Sequence, residues 1–229
     1  QFTPDPPVPF STEKTSQFYK LANEVYTAVD SNKEEKMEIA NYWDCNPYVM
    51  HQQGHLMMAT KKITPGGHWM GIVGLVTRKA GLDMVGTAEA YAMVSIGLFD
   101  GFISCWDEKF RSNVIRPETY INRFIDPDWE PTLQTPPFPE HTSGHSVISS
   151  ASCVILTKMF GDNFAFEDST EVPYNLPVRS FKSFKEAADE ASISRFYGGI
   201  HFMPAIEYGV TQGTKVGEHV LARVNTRAN

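Results

Sequence analysis

The chain has 229 residues, 41% of them apolar and 12% aromatic, a composition that excludes a disordered polymer and suits one well-cored domain. Its formal net charge of −7 argues against the broad basic face that a nucleic-acid partner needs, yet leaves room for a local cationic pocket and a small anionic ligand. The three cysteines, Cys45, Cys105 and Cys153, allow one disulfide at most and match no metal-ligand spacing. Cys105 and Cys153 sit in apolar stretches and read as buried thiols. No run reaches the ~18 consecutive apolar residues of a membrane span. The sequence begins with Gln1 rather than Met, so a targeting segment upstream would lie outside it.

Residues 1–10 contain four prolines and read as an extended lead-in. Phe18, Leu21, Ala22, Val25 and Val29 recur at helical steps and predict a first helix. Ser31 and Glu34 have capping-box spacing and predict a second, running to Asp44 before Asn46-Pro47 stops it. Pro65-Gly66-Gly67 opens an apolar segment over 68–80. Residues 85–110 predict one long helix, apolar on most sides until Asp107 and therefore central and buried. Residues 116–139 hold six prolines and read as a long loop. A second apolar helix is expected from Ser143 to Met159, then an irregular stretch or small flap over 163–181. Ser183 and Glu186 form another capping box for a helix to about Tyr197, Gly198-Gly199 breaks it, and a last helix runs from about Met203 to Val224. There are no internal repeats and no clear strand alternation. The expected fold is all-α, a helical bundle with an oxyanion site at its helix ends, over a single domain 1–229.

Three short segments carry chemistry. Lys109 is followed after six residues by Arg116-Pro117, and alone this pair reads as ordinary charges complementing a helix end. Ser143-Gly144-His145 falls where a loop becomes a helix, a place whose free N–H groups suit an anion; the plainer reading is a Ser N-cap beside surface histidines. Ser194-Arg195 is followed after five residues by His201, across the glycine break. Each segment lies at a helix end, where charged side chains can converge. His51, His55 and His68 have spacing that permits metal binding, but with an incomplete ligand set they read as structural or pocket residues. His141 and His219 read as surface residues.

The order and spacing of these segments resemble the superfamily that joins type-2 phosphatidic acid phosphatases, bacterial class A acid phosphatases and vanadium-dependent haloperoxidases. The similarity covers residues 88–224, and the stretches SCWDEKFRSNVIRP and PPFPEHTSGHS look most like its soluble bacterial haloperoxidase-like branch. The resemblance implies that Lys109, Arg116, Ser143, Gly144 and Arg195 bind the oxygens of phosphate or vanadate. It further implies that His201 is the nucleophile or the vanadium-binding nitrogen, and His145 a general acid and base. Two positions depart from the pattern. Thr142 stands where the family usually has Pro, and Ala205 where it usually has the Asp that holds the second histidine. Glu207 is the candidate replacement for that Asp.

The expected activity is metal-independent hydrolysis of phosphate monoesters through a phosphohistidine, with no cofactor and no metal. A vanadium haloperoxidase holding vanadate through His201 is the alternative, and a non-catalytic anion-binding relative, motivated by Ala205, the third reading. The expected partner is a small phosphorylated substrate or an oxyanion, and the resemblance points to a cell-envelope or periplasmic location.

Overall fold

The computed structural model describes residues 2–31, 34–46 and 48–226, excluding the side chains of 48–53 and 58–61. The elements run α1 (Gln17–Asp30), α2 (Glu34–Tyr42), β1 (Tyr48–Gln53), β2 (Leu56–Lys61), α3 (Pro65–Lys79), α4 (Met84–Ser112), α5 (Pro117–Phe124) and α6 (Gly144–Phe160). They continue with β3 (Phe166–Asp168), a 3₁₀ turn (Val172–Tyr174), β4 (Arg179–Phe181), α7 (Phe184–Tyr197) and α8 (Met203–Arg223). The predominantly helical class agrees with the sequence reading.

At the centre lies α6, packed against α4, α7 and α8. It is mostly apolar, with Val147, Ile148, Ala151, Ile155 and Leu156 fully buried. Its serines are buried as well, and Ser149 Oγ accepts the indole N–H of Trp69 at 2.9 Å. The contact between α6 and α8 depends on absent side chains. A Cβ at Gly213 would stand 2.0 Å from the Val147 carbonyl oxygen, and one at Gly217 2.9 Å from that of Ala151. These glycines let two helix backbones touch, which brings the N-terminus of α8 beside that of α6.

Several expectations are corrected. The stretch Met84–Phe124, which begins with α4, has the length and composition to cross a membrane, but the expectation that changes is the burial of α4 on most sides. This helix buries only one face: Val94, Gly97, Leu98 and Cys105 are buried, while Phe99, Ile103 and Phe110 are exposed. The loop expected over 116–139 contains α5, because Pro117 suits the first helical turn and Tyr120 and Ile121 bury a helical face. Ser31 closes α1, its hydroxyl donating to the Ala28 carbonyl; the capping box expected for α2 falls on residues 32 and 33, which lie outside the described residues. The antiparallel hairpin β1–β2, register Tyr48↔Lys61 to Gln53↔Leu56, was not anticipated. The flap is real but small, with Phe166 opposite Phe181. The capping box at α7 forms on one side: Ser183 Oγ accepts from Glu186 N, whereas Glu186 takes the N–H of Lys182. All three cysteines are free, with Cys105 buried and Cys153 only partly so.

The α6–α8 contact gives a paired test in urea unfolding. Gly213→Ala is expected to cost on the order of 1–3 kcal/mol or more, since two backbones must separate. Gly101→Ala, whose Cβ would meet Val147 Cγ1 at an ordinary 3.4 Å, is expected to be neutral or stabilising by up to about 1 kcal/mol. Equal effects at the two sites would remove the close-approach argument.

Candidate functional site

The three segments converge because backbone bonds tie them together. Glu140 N donates to the Val114 carbonyl at 3.0 Å, joining the second segment to the end of the first. Ser143 N donates to the Ala205 carbonyl at 2.9 Å, joining the second to the third. Gly199, at φ +75°, makes the turn between α7 and α8 that separates Arg195 from His201. Gly144, His145, Arg195 and His201 line one cavity of about 490 Å³, together with Trp106 and Phe138. A larger groove of about 890 Å³ beside α6 and α7 holds none of the candidate residues.

His201 is held on both ring nitrogens. Its Nε2 lies 3.1 Å from Arg116 Nη1, and its Nδ1 lies 2.7 Å from Glu140 Oε1. Arginine can only donate, so Nε2 must be the acceptor and the proton of the neutral ring sits on Nδ1. Burial, and then the positive charge of Arg116, hold the His201 pKa well below its ordinary value, so the ring is neutral. Glu140 Oε1 also accepts the Phe202 N–H at 3.0 Å, which fixes the carboxylate at the start of α8. Full burial raises the Glu140 pKa to about 7, against the opposing pull of Arg116 and Lys109.

This arrangement corrects the sequence reading at Glu207. That side chain is exposed on α8, and the carboxylate that meets His201 comes from Glu140, in the loop before α6. Ala205 is buried and contributes its carbonyl to the Ser143 N–H. Glu140 had a visible signal: an acidic residue among the prolines and histidines of the segment that otherwise suits an anion.

The cations are buried and mostly committed. Lys109 Nζ donates to the carbonyls of Pro139, Glu140 and Thr142 at 2.9, 3.0 and 2.6 Å. An ammonium has three N–H bonds, so Lys109, expected to bind an oxyanion directly, is spent on holding the 139–142 loop. Its charge remains, though burial lowers its pKa to about 8. Arg116 donates Nε–H to the Phe138 carbonyl and Nη1–H to that of Ile200, leaving Nη2 buried with no partner. Arg195 Nη1 donates to the Trp43 carbonyl at 2.5 Å. Phe138 covers both Lys109 and Arg116, at 5.3 and 5.1 Å. Ser143 caps α6, accepting from Ser146 N and Ser146 Oγ. His145 Nε2 is buried without a partner, and burial followed by the charge of Arg195 keeps its pKa well below the ordinary value.

Elsewhere the histidines divide. His141 is buried, not superficial, its ring edge-on to Tyr208 at 5.6 Å and its pKa lowered by burial to about 4. His219 is half-buried against Phe2. His55 is exposed, the His51 side chain lies outside the described residues, and His68 is buried far from both in role, stacked on Trp43.

The pocket that joins a buried neutral histidine, an unpartnered guanidinium nitrogen and two further buried cations sits in a chain that the comparisons assign to the haloperoxidase and acid phosphatase superfamily. Residues 89–229 match the family model of the VCPO second helical-bundle domain, and the chain belongs to that family. The first bacterial vanadium-dependent iodoperoxidase is 56% identical, with a TM-score of 0.91, over 98% of this chain and 54% of its own. A bacterial vanadium-dependent chloroperoxidase shares the fold at 16% identity, with TM-scores of 0.66 in its holo form and 0.68 in its apo form. These cover 88% of this chain and 46% and 47% of theirs. The chain thus spans about half the length of these solved relatives. No curated protein matches it. The phosphate monoester hydrolase reading is corrected by these comparisons. One oxyanion constellation serves both chemistries, so the motifs alone ranked them wrongly.

Substituting Glu140 by Gln keeps the shape and removes the charge that fixes His201. It is expected to weaken orthovanadate binding about 10–100-fold above pH about 7. The difference from wild type should shrink below that pH, because the wild-type carboxyl then carries a proton itself. Calorimetric titration across pH measures this; an unchanged affinity at high pH would remove Glu140 from the site.

Proposed function

We propose that the chain forms the vanadate-binding part of a vanadium-dependent haloperoxidase, with iodide as its halide. The observation that carries the reading is the excess of buried positive charge around His201. Lys109, Arg116 and Arg195 face two buried carboxylates, Glu140 and, beside Arg195, Asp44; Asp44 also binds Lys62 at 2.6 Å, so four cations stand against two carboxylates. Buried cations without a counter-charge are costly, so such a pocket favours an anion carrying about two negative charges. The halide is suggested by the 56% identical iodoperoxidase.

The residues fit vanadate. The buried Nη2 of Arg116 and Nε2 of His145 have no partner, and His201 offers a lone pair on Nε2. In this reading His201 would hold the vanadium through Nε2, and the unpartnered Nη2 of Arg116 would hold an oxygen of the oxyanion. Gly144, as the first residue of α6, presents an N–H without a helical acceptor. Bound vanadate would supply a Lewis-acidic centre at which peroxide is activated to oxidise a halide. His145, neutral and lining the cavity, would hold and pass a proton at its unpartnered Nε2. Trp106 and Phe138 form an apolar wall that limits water there. With Glu140 holding His201, the reason for a non-catalytic reading of Ala205 is gone.

The chain loaded with orthovanadate is expected to oxidise iodide with hydrogen peroxide, followed as triiodide absorbance, and the unloaded chain to be inactive. Arg195→Ala should lower the rate about 10²–10³-fold, as loss of a charge-stabilising donor does elsewhere. Retained vanadate binding without iodide oxidation would contradict the reading.

A further inference from the structure

Beside the anion pocket, and sharing Cys45 with its lining, lies a second cluster that the proposed chemistry does not use. Cys45, after α2, His68, on α3, and Glu171, after β3, are all buried, and each places one donor atom within 4.8 Å of the others. Cys45 Sγ is 3.5 Å and Glu171 Oε1 3.0 Å from His68 Nδ1. The other ring nitrogen, Nε2, lies 2.7 Å from Asp168 Oδ2. Asp168 is itself fixed, since its Oδ1 accepts from Thr170 N at 3.0 Å and from Thr170 Oγ1 at 2.6 Å. Trp43 stacks flat on the imidazole, with centroids 4.5 Å apart and planes 16° apart.

A proton on His68 Nδ1 can be aimed at only one of the two atoms that approach it, the Glu171 oxygen at 3.0 Å or the Cys45 sulfur at 3.5 Å. Glu171 Oε1 is a buried atom without a hydrogen-bond partner. A cation shared by the three donors satisfies all of them. Around a tetrahedral zinc ion with the usual bond lengths, the sulfur–nitrogen edge is about 3.5 Å and the nitrogen–oxygen edge about 3.3 Å. The observed sulfur–nitrogen separation of 3.5 Å matches, and the nitrogen–oxygen separation of 3.0 Å is somewhat shorter. Asp168 completes the pattern of a ligating histidine whose far N–H is held by a carboxylate, which orients the ring and strengthens it as a ligand.

We infer that Cys45, His68 and Glu171 form a binding site for a zinc-class divalent cation, with Asp168 orienting His68. The mixed sulfur, nitrogen and oxygen set disfavours magnesium and calcium, which take oxygen. The fourth position falls to water or to the second Glu171 oxygen. The site would pin residues 43–45, and the Trp43 carbonyl in that segment receives Arg195. The cation would thereby position the anion pocket from one of its walls, where Cys45 lies. The inference is independent of the halide chemistry.

The test is made on the purified chain without vanadate. After incubation with zinc and gel filtration, plasma mass spectrometry should find about one zinc per chain, falling at least tenfold in Cys45→Ser and in Glu171→Gln. Replacing zinc by cobalt should give the wild type a thiolate-to-cobalt charge-transfer band. That band should vanish in Cys45→Ser, where Cys105 and Cys153 remain. The wild-type spectrum needs no variant to fold. Absence of retained zinc, a cobalt spectrum without the sulfur band, or a band that persists in Cys45→Ser would overturn the site.

Discussion

The contact between Glu140 and His201 organises the pocket. A neutral imidazole has one proton, and which nitrogen carries it decides which nitrogen can bind a ligand. Glu140 takes that proton's hydrogen bond at Nδ1 and the N–H of Phe202 with the same oxygen. The carboxylate therefore sets both the ring tautomer and the start of α8. Everything that places Glu140 bears on this contact: the Val114 carbonyl that holds its N–H, and the Lys109 ammonium that gathers its own carbonyl with those of Pro139 and Thr142.

The cations then divide between architecture and binding. Lys109 has no free N–H, while Arg116 keeps one buried nitrogen unpartnered. Carbonyl oxygens solvate these charges in place of water, but dipoles do not neutralise them. A buried guanidinium stays charged even with its pKa lowered by burial, to about 10 for Arg116. The pocket is thus prepared for an anion before any arrives, which spares the reorganisation that water would require.

The helices were largely legible in the sequence because apolar periodicity and capping residues are local signals. Thr64, Asp83, Ser143 and Ser183 all cap as their residue types favour. The α5 helix was hidden by the prolines around it, and β1–β2 by a sequence without alternation. Both are set by neighbours more than by propensity. The motifs located the site, yet not its wiring. Lys109 became a loop clamp because three carbonyls from thirty residues away turn toward it. Glu140 replaced Glu207 because the Ser143–Ala205 bond brings the 139–142 loop across the start of α8. His141 and His68 were misjudged or left open because burial is a tertiary property. The oxyanion ligands could not choose between phosphate hydrolysis and halide oxidation, since the two share one set; the signal for the choice lay in the flanking stretches SCWDEKFRSNVIRP and PPFPEHTSGHS, which resemble the haloperoxidase-like branch.

The account rests on the protonation of one ring, which nitrogen NMR reads directly. In the chain labelled at histidine, without vanadate and above the Glu140 pKa of about 7, long-range proton–nitrogen correlations should show His201 neutral, with the proton on Nδ1 and Nε2 bare. His201 found with its proton on Nε2, or doubly protonated, would contradict the account, because no lone pair would then face the cavity.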